Sequence, residues 1–162
     1  MLIDTILNRE TNCFVDNSEV VGRKNHVSEI VKLVTGATSQ KLSVIPIVGI
    51  SSLGKTTSAK LVYNDAQVNI HFNKKIWVCV SNNFDEKRIL RGILESLTSN
   101  SSPLETNNAI LVKLQKELER GRYLLVLDDV WNEESIKWDT LRSCLLEINS
   151  NIYWEQHYSN DP

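Results

Sequence analysis

Apolar positions recur along the 162-residue chain with two alternating periods. In Asn25 to Thr35, Val27, Ile30, Val31 and Val34 fall at i, i+3, i+4 and i+7, one face of a helix. Asn25 is a suitable N-cap and Gly36 a suitable C′ residue for it. Val44-Ile45-Pro46-Ile47-Val48 is a short, continuous, β-branched run that predicts a buried strand. Thr57 to Tyr63 is a helix-forming run. Phe72 to Val80 predicts a second strand, with Ile76, Val78 and Val80 alternating against Trp77 and Cys79. Asp85 to Thr98 and Glu105 to Arg120 predict two helices, the second closed by Gly121. A third apolar strand, Arg122 to Leu127, runs into Asp128-Asp129-Val130-Trp131, and Glu133 to Leu146 predicts a last helix with Trp138, Leu141, Cys144 and Leu145 on one face. Residues 1–19 show little periodicity and read as a linker or arm, and the pattern is lost after Ile152.

Strands apolar on both faces, separated by amphipathic helices, predict an α/β domain over residues 20–152: a doubly wound, mostly parallel sheet covered on both sides in three layers. Composition adds limits. With 41% hydrophobic residues the chain is long enough for one compact core. A formal net charge of -2 gives no basic field for nucleic acid. The three cysteines, Cys13, Cys79 and Cys144, form no C-x-x-C pair and read as reduced thiols of a cytoplasmic protein. The start, MLIDTILNRETNCF, lacks the basic-then-apolar run of a signal peptide, and no apolar stretch reaches membrane-spanning length.

The chemistry concentrates at the first strand-to-helix turn. Gly49-Ile50-Ser51-Ser52-Leu53-Gly54-Lys55-Thr56 fits G-x-x-x-x-G-K-[ST], the phosphate-binding loop. A strand that turns abruptly into a helix gathers backbone N–H groups in a small space, and the helix N-terminus adds partial positive charge suited to a pyrophosphate. Gly49 and Gly54 allow close approach of the backbone, Lys55 can reach the β- and γ-phosphates, and the Thr56 hydroxyl can ligate Mg²⁺. Lys55 is expected to touch only phosphate, so that the nucleotide-free fold does not depend on it.

The second motif is the strand-ending pair Asp128-Asp129. In phosphate-loop proteins the first such Asp holds Mg²⁺, directly or through water, and Asp129 could orient or deprotonate a water. Alone, a strand-ending Asp often serves only as a helix cap. Downstream of a complete phosphate loop in a β/α alternation, it points to a Mg-nucleotide site.

Together these pieces resemble the NB-ARC domain of plant intracellular disease-resistance proteins, nucleotide-binding leucine-rich-repeat receptors with an N-terminal coiled coil. The resemblance runs from about Arg9 to Ile152 and rests on Phe14-Val15-Asp16 with Val20-Val21-Gly22-Arg23, then IPIVGISSLGKTTSAKLVYND, FNKKIWVCVSNNFD and LLVLDDVWNEESIKWDTLRSCL. It implies a switch that holds ADP when off and ATP when on. Val21, Gly22 and Arg23 would lie against the adenine, Gly49 to Thr57 would hold phosphate, and Thr56 and Asp128 would hold Mg²⁺. Ser51-Ser52 stand where relatives usually have Gly-Gly, so a position there needing φ > 0 carries a Cβ.

Family parts expected before Met1 and after Ile152 are missing from the sequence, among them the strand ending in Thr-Thr-Arg whose arginine senses the γ-phosphate. The last stretch, Trp154 to Pro162, back-translated and read one base later, permits Gly-Asn-Ser-Ile-Ile-Val-Thr-Thr-Arg. The expectation is a C-terminally truncated or frameshifted form in which residues 153–162 are an aberrant, disordered tail. Such a chain would be at most a weak ATPase. The alternatives are a small phosphate-loop ATPase, or a non-catalytic interaction or decoy fragment. As partners the reading allows nucleotide, full-length resistance proteins, or a second copy paired along an exposed sheet edge at Leu42 to Val48.

Overall fold

The structure is a computed structural model that describes residues 11–16, 20, 22–36, 42–50, 53–81, 84–99, 106–119, 121–131 and 135–148. In chain order its elements are α1 (Lys24–Gly36), α2 (Lys55–Tyr63), α3 (Ala66–His71), β1 (Lys74–Ser81), α4 (Glu86–Thr98), α5 (Asn107–Leu118), β2 (Tyr123–Val130) and α6 (Ser135–Glu147).

Local chemistry sets most boundaries. Asp85 caps α4, its Oδ1 accepting from the Arg88 amide at 2.6 Å, and Thr106 caps α5 by accepting from the Ala109 amide at 3.3 Å. At the start of the sheet Asn73 ties β1 to β2. Its amide donates to the Arg122 carbonyl at 2.8 Å, and its Oδ1 accepts from the Arg122 amide at 2.9 Å. Gly121 supplies the left-handed φ of 98° that this turn requires.

β1 and β2 pair in parallel, from Lys74 opposite Tyr123 to Ser81 opposite Val130. Their connection runs through α4 and α5, as a parallel pair demands. The period of two then sorts side chains into two cores. Ile76, Val78 and Val80 of β1, with Tyr123, Leu125 and Leu127 of β2, pack with apolar residues of α4, α5 and α6. Leu124 and Val126 of β2, with Trp77 of β1, pack with α1, α2 and α3. Residues of the segment before the phosphate loop divide between the same two cores, Leu42 and Val44 on the first side and Ile45 and Ile47 on the second.

Several expectations change. The run Val44 to Val48 alternates between the cores but is not a strand: its backbone makes only an isolated bridge, at Pro46. A proline has no N–H to give a ladder, and Val48 is already 51% exposed as the chain leaves the core. α1 begins at Lys24 and includes Gly36, so Asn25 and Gly36 lie inside the helix rather than flanking it. β1 starts at Lys74, because Phe72 closes α3 and is buried with Val68 in the second core. α3 itself was not expected. It is six residues long, too short for a periodic pattern, and is started by the Asp65 carboxylate accepting from the Gln67 amide at 2.8 Å.

The 11–16 stretch lies on the α2 side. Asn64 Nδ2 donates to the Cys13 carbonyl at 2.7 Å, and Trp77 Nε1 to the Thr11 hydroxyl at 3.4 Å. The rest of the expected arm, residues 1–10 and 17–19, and the expected tail at 153–162 lie outside the described residues. No disulfide joins Cys13, Cys79 and Cys144. No helix among the described residues is long and apolar enough to cross a membrane.

Candidate functional site

The phosphate loop leaves the core at Val48 and ends where α2 begins at Lys55. Ile50 and Leu53 are 74% and 54% exposed, so these two side chains turn outward. Gly54 takes a left-handed φ of 70° immediately before the first turn of α2, which carries Lys55, Thr56 and Thr57. The backbone favours glycine there, and a Cβ at Gly54 would lie 2.5 Å from Nη2 of Arg23, so a side chain would also push the guanidinium aside. Ser51 and Ser52, expected in the phosphate cradle, lie outside the described residues, as does Val21.

Lys55 is only 8% exposed. Its ammonium donates to the carbonyls of Gly49, at 2.5 Å, and Ile50, at 2.8 Å. The expectation that Lys55 touches only phosphate is therefore corrected. A buried ammonium carries three donors that must be satisfied, and the loop's own carbonyls supply acceptors. Lys55 is a structural part of the loop as well as a cation within it.

Thr56 and Asp128, 72 positions apart in the sequence, meet: the Thr56 hydroxyl donates to Asp128 Oδ1 at 2.9 Å. The meeting follows from strand period. Asp128 shares parity with Leu124 and Val126, whose side chains face α2, and it sits near the C-terminal end of β2, level with the start of that helix. Asp128 is fully buried, and its Oδ2 has no hydrogen-bond partner among the described residues. A buried carboxylate oxygen left unmatched beside a hydroxyl is a hard-oxygen donor set that suits Mg²⁺, which takes one or two protein oxygens and completes its shell from phosphate and water. No cluster of three His, Cys, Asp or Glu side chains forms a separate metal site among the described residues.

Asp129 falls on the opposite parity with a left-handed φ of 58°. Its Oδ1 accepts from the Trp131 indole N–H at 2.7 Å.

Gly22, with φ 82°, turns the chain into α1, and Arg23 follows it. The Arg23 guanidinium lies across the end of the phosphate loop. Nη1 donates to the Gly54 carbonyl at 3.2 Å and to the Ser58 hydroxyl at 3.0 Å, and Nη2 donates to the Leu53 carbonyl. Beside it a cavity of about 360 Å³ opens between α1 and the end of α2, lined by Val20, Arg23, Lys24, Val27, Leu61, Asn64, Asp65 and Ala66. That volume is within the range of small-molecule sites. The structure thus brings Arg23, expected against the adenine, onto the end of the loop. It adds Leu61, Asn64 and Asp65, whose sequence context suggested only a helix end and a turn. Ser58 was also missed. It is a polar residue 1% exposed beside the buried Ala59 and Val62, and that placement within an apolar helix face was its available signal.

Residues 23–152 match the NB-ARC domain family. Among curated proteins, disease resistance protein RGA2 of Solanum bulbocastanum is 49% identical over 140 residues, 85% of this chain and 14% of that protein. Disease resistance protein RPP8 of Arabidopsis thaliana is 37% identical over 138 residues, covering 83% of this chain and 15% of its own length. Disease resistance RPP13-like protein 4, also of Arabidopsis thaliana, is 36% identical over 126 residues, 78% of this chain and 15% of that protein. The chain thus spans about one seventh of the length of these relatives.

Proposed function

The chain belongs to the NB-ARC family, and from that premise we propose that it binds ADP and ATP with Mg²⁺ as the nucleotide-switch part of a plant disease-resistance receptor. NB-ARC domains bind nucleotide, and the relatives are named as disease resistance proteins. The observation that carries the metal-nucleotide reading is the Thr56–Asp128 contact. It unites the two halves of a phosphate-loop site across 72 positions, with one carboxylate oxygen left for a further partner.

In this reading the amides of Gly49 to Thr57, with Ser51 and Ser52 among them, and the Lys55 ammonium hold the phosphates. Thr56 and Asp128 hold Mg²⁺, which when bound would draw charge from the phosphate oxygens. Val21, Gly22 and Arg23 take the base, and the cavity beside Arg23 supports that placement through its size and its apolar Val20, Val27 and Leu61 wall. The two helical layers about the β1–β2 pair support a doubly wound, three-layer phosphate-loop fold. Asp129 accepts from the Trp131 indole through Oδ1, and a carboxylate so held keeps acceptor sites with which it would orient a water; a binding switch with at most weak ATPase activity remains the reading. A cytoplasmic location belongs to the same proposal. So does association with longer resistance proteins, or with a second copy along residues 42–48, which sedimentation with and without ADP would test.

Chromatography of the supernatant from denatured, freshly purified protein tests the reading. Stoichiometric adenine nucleotide is expected. Nucleotide-free protein that also fails to take up added ADP would refute it.

A further inference from the structure

We propose that Arg23 is a positioning residue for the phosphate loop, through which the base cavity and the phosphate cradle are mechanically coupled. The proposal rests on the nucleotide-binding reading above. It differs from that reading in what Arg23 acts on: loop backbone rather than base alone.

The observations are geometric. One guanidinium donates to the carbonyls of Leu53 and Gly54, the last two residues before α2, and to the Ser58 hydroxyl one turn into that helix. Its planar fork can hold three acceptors in a fixed arrangement, which a lysine's rotating ammonium does not. The guanidinium packs on Gly54 so closely that a Cβ there would displace it. Leu53 and Gly54 immediately precede Lys55 and Thr56, and the Ser58 amide donates to the Gly54 carbonyl at 2.9 Å. Holding these carbonyls therefore fixes the peptide planes at the helix start, where N–H groups face an anion. The far end of the same residue is anchored differently. The Arg23 backbone carbonyl accepts from the Val27 amide at 3.0 Å, at the start of α1, and Arg23 also lines the cavity. A ligand that displaces Arg23 within the cavity thus moves the loop, and a loop drawn onto phosphate pulls on Arg23.

A base contact and a loop-positioning role are separated by a ligand that has no base. Wild type, Arg23→Ala, Arg23→Lys and Ser58→Ala are titrated with ADP and with inorganic pyrophosphate, each in Mg²⁺. We expect Arg23→Ala to lose affinity for both ligands by a similar factor, about tenfold or more, as befits loss of charge-assisted bonds that order the cradle. Arg23→Lys should recover part of the loss for both, and Ser58→Ala should show a smaller loss of the same kind. Loss of ADP affinity with unchanged pyrophosphate affinity would overturn the proposal, because Arg23 would then serve the base alone. Amide hydrogen exchange without ligand gives a second reading. The Leu53 and Ser58 amides should exchange about tenfold faster or more in Arg23→Lys, while the β2 amides stay as in wild type. Unchanged exchange at Leu53 and Ser58 would overturn the positioning role whatever the ligand result. If wild type binds neither ligand, the nucleotide reading fails, and the exchange comparison still decides the Arg23 contact.

Discussion

Replacing Thr56 by Val keeps the shape of the side chain and removes the one hydroxyl that donates to Asp128 Oδ1. Asp128 is fully buried and its Oδ2 is already unmatched among the described residues, so the variant leaves a carboxylate with neither oxygen satisfied. A lost bond to a buried charged group costs about 1.5–3 kcal/mol. For a chain of 162 residues each kcal/mol shifts the melting temperature by about 2–4 °C, so a fall of about 3–12 °C is expected. The assay is thermal unfolding without nucleotide or metal, read by circular dichroism, for four proteins: wild type, Thr56→Val, Asp128→Ala and the double variant. Without the carboxylate, the hydroxyl has nothing to satisfy. Thr56→Val should then be close to neutral in the Asp128→Ala background, giving a coupling of about 1–3 kcal/mol. Thr56→Ser, which keeps the hydroxyl, should stay near wild type. Equal costs of Thr56→Val in both backgrounds would refute the contact and with it the argument that these two residues form one site.

Further outcomes follow from the same geometry. Lys55→Ala should lower stability without ligand by about 1–2 kcal/mol, because two bonds to loop carbonyls are lost; an unchanged denaturant midpoint would show that the lysine does not hold the loop. His71 is held below its usual value of 6.5 by partial burial and then by the Arg122 guanidinium. The unfolded chain then binds the proton more readily, so stability should fall as pH drops through about 6.5, and His71→Gln should flatten that slope; denaturant midpoints between pH 5 and pH 7.5 check it. Cys144 is pushed up to about 12 by burial, with the Glu86 carboxylate that accepts its S–H adding to the shift. It should resist iodoacetamide at pH 8 in the native protein and react on unfolding, as mass spectrometry of the labelled peptide would show.

Much of this was legible in the sequence because the cores sort by simple periods. The i, i+1, i+4, i+5 spacing of Ile89, Leu90, Ile93 and Leu94 marks the buried face of α4, and Ile76, Val78 and Val80 alternate into the same core. The Thr56–Asp128 meeting followed from motif chemistry, and strand parity carried it out. What the sequence hid was short or depended on contacts across the fold. α3 has six residues and a single buried one, Val68, so no period could announce it. The Lys55 bonds, and two of those of Arg23, go to backbone carbonyls, which every residue possesses and no motif encodes. The cavity wall at Leu61, Asn64 and Asp65 exists only because α1 packs beside the end of α2. Pro46 shows the converse: composition promised a strand there, and the missing N–H limited it to a bridge.

Calorimetric titration of ADP with Mg²⁺ into nucleotide-stripped protein, with Lys55→Ala alongside, tests the central claim most directly. The account predicts saturable binding at one site per chain, weakened when Mg²⁺ is withheld and lost in the variant. Absence of binding to folded wild type, or equal binding by wild type and Lys55→Ala, would contradict it.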